Sequence, residues 1–189
     1  SGPYRAAVCT ALTGPDSIQI QERVSVPLGR DEVRIATRAA GVNFPDLLMT
    51  YGKYQFRPDP PFIPGMEIAG EVIETGAEVA AVKVGDRVMT GAKGGCFAEQ
   101  LVVPSSAVVV LPPALSFEEG SCWRSAAVTA WHALHDKARL QAGETALILG
   151  ASGGVGMAAI KLAKHFGAMV IGTGSTQSKR DAILAAGAD

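Results

Sequence analysis

The sequence predicts two domains of different class: an all-β barrel over residues 1–123, then part of an α/β domain with a doubly wound parallel sheet over residues 124–189. Up to about Val110 the chain is a series of short alternating segments punctuated by glycine and proline, the pattern of a compact barrel. After Pro112-Pro113 the apolar spacing becomes helical. Residues 143–164 (GETALILGASGGVGMAAIKLAK) then read as strand, tight glycine-rich turn and helix, a unit that implies parallel strands with right-handed crossovers.

In chain order, residues 17–22 (SIQIQE) and 32–39 (EVRIATRA) alternate apolar and polar as half-buried strands do, with Pro27, Gly29 and Asp31 between them. Residues 43–52 break the alternation, and a short helical turn is expected after Pro45, followed by a proline-rich loop over 58–64. Residues 66–74 resume strand character, with Gly70 permitting a bend or a close backbone approach. The stretch VGDRV at 84–88 reads as a turn into a strand, and 96–103 and 107–111 complete the series. Ser116 with Glu118 and Glu119 has the chemistry of a helix start. Helical spacing runs over 126–140 through Val128, Trp131, Leu134 and Ala138, ended by Gly143, and a last strand and helix are expected at 169–172 and 178–186.

Composition narrows the function classes. A chain of 189 residues with 48% hydrophobic residues has ample core, and a formal charge of -1 without a basic block argues against nucleic acid or an anionic membrane as partner. There is no run of about 18 apolar residues and no basic-then-apolar leader. The odd set of three cysteines at wide spacing, Cys9, Cys96 and Cys122, suits free thiols in a reducing compartment, and a cytoplasmic location is expected.

The turn carries the chemistry. Ala151, Ser152, Gly153, Gly154, Val155 and Gly156 fit GxGxxG with alanine in the first glycine's place; small residues let the main chain approach a pyrophosphate, and N–H groups at the helix start meet its charge. NAD-specific sites place an acid about 20 residues later to bond the ribose 2′-hydroxyl. Here that place reads IGTGSTQSKR over 171–180, including Thr173, with no acid. Ser175 can donate to a 2′-phosphate and Lys179 adds positive charge, so NADPH is expected over NADH.

GVNFPD (41–46), PGMEIAGEV (64–72), VGDRV (84–88), TAWHAL (129–134) and the turn at 150–156 occur in an order that resembles the zinc-independent quinone oxidoreductases of the medium-chain dehydrogenase/reductase superfamily, similar to zeta-crystallin. The resemblance implies a GroES-like β-barrel serving substrate and catalysis, then a Rossmann domain, with the active site in the cleft between them. A dinucleotide-binding sheet has about six strands, and only the first part of one is visible, so the resemblance implies that the family's remaining Rossmann strands and a return segment lie outside this sequence. Departures are Lys161, where the family has glutamine, and Arg124, where it has proline.

Alcohol dehydrogenases of the superfamily hold catalytic zinc at positions that here read Asn43, Met66 and Ser125, none of them a good zinc donor, so no metal is expected. Without metal, the resemblance leaves the site to polar groups that orient donor and acceptor. Asn43 is expected to position the nicotinamide ribose or to donate to the substrate carbonyl; Asp46 orders the same loop; Tyr54, in preference to Tyr51, donates to the reduced oxygen; and Thr129 contacts the nicotinamide. Glu67 is expected to pair with a base such as Arg87. The implied reaction is NADPH-dependent hydride transfer to a quinone or another activated carbonyl or alkene. An enoyl reductase acting on acyl thioesters and a cofactor-binding protein without turnover stay open. Homo-oligomers through Rossmann strands are common in such enzymes.

Overall fold

The computed structural model describes residues 2–189, which divide into two compact units, one ending at Arg124 and one running from Ser125 to Asp189.

In the first unit, β1 (Tyr4–Cys9) and β2 (Ile18–Arg23) form an antiparallel hairpin. Strands β3 (Glu32–Gly41), β4 (Glu67–Thr75), β5 (Arg87–Gly91), β6 (Gln100–Pro104) and β7 (Val108–Val110) form an antiparallel sheet in the order β6-β3-β4-β5-β7. Alternation turns Val33, Ile35, Ile68, Val72, Val88, Leu101 and Val103 into one buried cluster. The strand expected over 96–103 begins only at Gln100. Residues 97–99 instead bridge two partners: Phe97 C=O accepts from Ala7 N–H at 2.8 Å, and Glu99 C=O accepts from Thr37 N–H at 2.9 Å. This joins the hairpin to the sheet as a half-barrel.

Two details depart from simple alternation. Arg34 is buried in the middle of β3, where the pattern calls for an exposed residue; its Nε donates to Glu74 at 2.8 Å and its other end to the Val26 carbonyl, so the buried charge is paired. Gly70 has the close-approach role expected of it, since a Cβ there would collide with the Ala36 carbonyl, next to a register slip between Thr37 and Ala39.

The short helices start as their sequences dictate. Helix α1 (Phe44–Thr50) carries proline in its first turn. Helix α2 (Phe117–Ser121) has a reciprocal cap, with Ser116 Oγ accepting from Glu119 N–H at 3.1 Å and Glu119 accepting from Ser116 N–H at 2.8 Å.

The unit boundary falls at the start of α3 (Arg124–Trp131), which continues as a π-helical segment, His132–Lys137, and not as the regular helix expected to residue 140. The wider turn lets His135 stack on Trp131 at 4.5 Å and brings both His132 and His135 onto Asp136, at 2.9 and 2.8 Å. These bonds hold the Asp136 carboxyl below its usual range. Strand β8 (Thr145–Ile148) pairs in parallel with β9 (Met169–Gly172), with α4 (Gly154–His165) as the crossover and α5 (Gln177–Ala185) after it. Ala146, Ile148, Ala159, Ile160, Ala163, Val170 and Ile183 make the core, while Leu147, Leu149, Met169 and Ile171 on the sheet's other face are exposed. Among the described residues no helix is long and apolar enough to cross a membrane.

Candidate active site

The first cluster lies where β3 ends and α1 begins. Asp46, in the first turn of α1, is buried, and its Oδ2 accepts from the Asn43 N–H at 2.8 Å, closing the turn. Its Oδ1 is buried without a hydrogen bond of ordinary geometry. Burial pushes the Asp46 carboxyl above its usual range, against the partial offset of the Asn43 and Gly65 N–H groups, and the Glu67 charge adds to the rise.

Glu67 opens β4 directly opposite Gly41. This register, and not the expected pairing with Arg87, sets its role: Asn43 Nδ2 donates to Glu67 Oε1 at 2.8 Å. Opposite a carboxylate the amide must present its NH₂ group, which leaves Asn43 one further N–H and its oxygen for other partners. Arg87 is occupied elsewhere, donating to the Leu115 carbonyl at 2.6 Å and lying over the Phe117 ring. Cys96 is also buried beside these acids; burial, reinforced by Asp46 and Glu67, pushes its thiol up to about 12, so it stays protonated and inert near neutral pH.

Tyr54 is half-buried on the loop after α1 and makes no hydrogen bond to Asn43. It lines a cavity of about 460 Å³ with Met49, Gln55, Phe56, Met66 and Lys93. Its hydroxyl receives only a long contact from Gln55 Nε2, at 3.4 Å, so its own hydrogen is available for donation. Tyr51 packs differently, its ring filling the space beside Gly14 with Lys53 above it at 5.5 Å. Arg124 lies over Gly91, where a Cβ would strike the guanidinium and would come within 2.8 Å of the Met66 carbonyl.

The second cluster is the turn after β8. A Cβ at Gly156 would sit 2.6 Å from Ala151 Cα, so only glycine lets α4 start this close to the turn. Gly150 has φ +61 and open space around it, and Gly153, the N-cap of α4, has no side-chain cap. The turn thus leaves uncapped N–H groups facing free volume, the condition for an anion at a helix start. Ala151 is buried, Ser152 is half-buried, and Gly153, Gly154 and Val155 are exposed.

Thr173 ties the turn to the end of β9, its C=O accepting from Ala151 N–H at 3.1 Å and its Oγ1 from Gly150 N–H at 3.2 Å. Beside it is a cavity of about 420 Å³ lined by Gly150, Ser152, Thr173, Gly174, Ser175 and Lys179. Lys179 Nζ donates to Ser175 Oγ at 3.4 Å, so the two residues converge on this cavity, which has no carboxylate in its lining.

Thr129 stands apart from these contacts, its Oγ1 donating to the Ser125 carbonyl at 2.7 Å within α3. Lys161 is exposed on α4. Among the described residues no group of His, Cys, Asp or Glu is arranged to hold a metal. Sequence reasoning missed Glu67 as the partner of Asn43, and Met49, Phe56 and Lys93 as cavity residues. Strand register is what brings them in, because Glu67 pairs with Gly91 across β4 and β5 and Ala92 N–H donates to Met66 C=O at 3.0 Å, which sets Lys93 beside Met66.

Residues 29–113 match the alcohol dehydrogenase GroES-like domain. A quinone oxidoreductase-like protein 2 homolog from Nematostella vectensis is 41% identical over 172 residues, covering 89% of this chain and 47% of its own length. Among solved structures, a probable oxidoreductase from Mycobacterium abscessus superposes with a TM-score of 0.93 at 38% identity, over 100% of this chain and 60% of its own. The quinone oxidoreductase from Thermus thermophilus, solved also in complex with NADPH, gives 0.87 at 33% identity, over 98% and 58%. The chain spans about half the length of the curated relatives it matches. These matches place the chain in the quinone oxidoreductase-like family of the medium-chain dehydrogenase/reductase superfamily.

Proposed function

We propose that the protein carries out NADPH-dependent, metal-free hydride transfer to a quinone or another activated carbonyl or alkene. The observation that supports this most is the cavity beside the turn, where Ser175 and Lys179 converge and no carboxylate intrudes. An Asp or Glu there would repel a 2′-phosphate, whereas a lysine and a hydroxyl give it charge-assisted hydrogen bonds. The open, uncapped start of α4 fits a pyrophosphate. The relative from Thermus thermophilus was solved with NADPH, which agrees with this reading.

NADPH, when bound, supplies the hydride; the chain's own groups bind, orient and stabilise. Ser152 and the N–H groups of Gly154, Val155 and Gly156 would hold the pyrophosphate, with the Gly153 backbone, its N–H bonded to the Gly150 carbonyl at 3.1 Å, passing close beside it; Thr173 keeps the turn in shape through Gly150 and Ala151. Asn43, fixed through Glu67, offers its remaining amide hydrogen and its oxygen to the nicotinamide ribose or to the acceptor's carbonyl. Asp46 acts through Asn43 as a positioning residue. Tyr54 donates from its hydroxyl to the oxygen that gains charge as the acceptor is reduced. Thr129, its hydroxyl hydrogen committed to the Ser125 carbonyl, keeps its oxygen as an acceptor and its methyl for contact with the nicotinamide.

The test has two stages. Fluorescence titration is expected to show NADPH binding about tenfold or more tighter than NADH, as one charge-assisted contact supplies; equal affinities remove the argument from Ser175 and Lys179. NADPH oxidation is then followed with 1,4-naphthoquinone and with a crotonyl thioester. Turnover with the thioester and none with the quinone would make the protein an enoyl reductase.

A further inference from the structure

We infer that the cavity holding Tyr54 takes an acceptor that carries a carboxylate, and that Lys93 is the residue that selects it. This rests on the reading of that cavity as the acceptor's site. At about 460 Å³ it has the volume of a small-molecule pocket, with Met49, Phe56 and Met66 as apolar wall and Tyr54, Gln55 and Lys93 as polar groups. A flat enone or quinone accounts for the apolar wall and the phenol. It does not account for the lysine.

Lys93 is exposed and has no ion pair or hydrogen bond among the described residues. The hairpin of β4 and β5 holds it at this cavity through the Ala92 to Met66 bond. Lys93 is the one charged residue among those that line the cavity. Arg57 donates to the Tyr54 carbonyl at 3.0 Å, Lys53 lies over Tyr51, and the Arg124 guanidinium covers Gly91. Asp59 is the acid on the same loop. The other nearby acids, Asp46 and Glu67, are buried and engaged with Asn43. A neutral acceptor leaves Lys93 without a partner in the cavity, and a carboxylate a few bonds from the reducible group gives it a charge-assisted contact.

The probes are 4-oxo-2-pentenoate and its methyl ester as acceptors in NADPH oxidation, and saturated 4-oxopentanoate as a ligand followed by calorimetry, all with the intact protein. The wild type is expected to favour the acid over the ester in kcat/KM. In Lys93→Gln that ratio falls about tenfold, the loss of one charge-assisted contact at a solvent-facing site, and Lys93→Arg keeps most of it. 4-Oxopentanoate binding weakens in Lys93→Gln by a similar factor. An unchanged acid-to-ester ratio, or a wild type that prefers the ester, overturns the inference. If neither acceptor oxidises NADPH, the proposed function is decided by the 1,4-naphthoquinone assay, and calorimetry still decides on Lys93: equal 4-oxopentanoate binding by wild type and Lys93→Gln overturns its role.

Discussion

The turn after β8 and the cluster at the start of α1 are held by opposite means. The turn is shaped by what its residues lack: no Cβ at Gly156 to strike Ala151, no side chain capping α4, open space around Gly150. The α1 cluster is shaped by what its residues bring, an amide and two carboxylates that are buried or half-buried and bonded across elements far apart in the chain. Backbone sterics tolerate almost no substitution but depend on a few adjacent residues. A buried polar network tolerates an isostere but depends on register, so changes should be abrupt in the turn and graded in the cluster.

The largest effect is expected at Gly156→Val. Its Cβ would have to displace Ala151 backbone, so the second unit should lose about 3 kcal/mol in urea unfolding, with NADPH binding abolished in a fluorescence titration. Wild-type affinity in this variant would show that the turn can yield and that the contrast with the cluster is false.

Next is Lys179→Glu, which turns a partner of the cavity into a repelling charge beside Ser175. The ratio of NADPH to NADH affinity should fall about a hundredfold, roughly two charge-assisted contacts' worth. A ratio within twofold of wild type would detach this cavity from the 2′-phosphate.

The smallest effect is expected at Asp46→Asn, and its sign is the informative part. Burial raises the folded-state pKa of Asp46 above its ordinary value of 3.8, so folding takes up a proton between the two values. The stability this group contributes is therefore complete below about pH 3.8 and is lost as pH rises through the folded pKa. Asparagine does not titrate there and its oxygen can still accept from the Asn43 N–H. Relative to wild type, the variant should gain stability with rising pH from about 4 upward, read from thermal midpoints across a pH series. A gain that shrinks as pH rises would mean that hydrogen bonds to the carboxylate outweigh its burial.

The same contrast explains what could be read in advance. The strand-turn-helix over β8 and α4, the glycine at 156 and the pairing of Ser175 with Lys179 are local: their partners lie within a short stretch, and Lys179 sits one helical turn beyond Ser175. The expected helix over 126–140 went wrong where apolar spacing says nothing of ring stacking, at Trp131 and His135. Arg34 broke the alternation because its partners, Glu74 and Val26, come from elsewhere in the fold.

By itself the sequence determined the two domain classes, the glycine turn between a strand and a helix and the absence of an acid over residues 171–180, because each rests on periodicity, on residue size or on spacing along one short segment. Only the tertiary structure decided that Glu67 holds Asn43 and that Lys93 stands beside Met66 at the Tyr54 cavity. Both follow from the register of β4 against β3 and β5, which pairs Glu67 with Gly41 on one side and with Gly91 on the other. A register is a choice among alternatives made by the buried face of the whole sheet, and no single segment contains it.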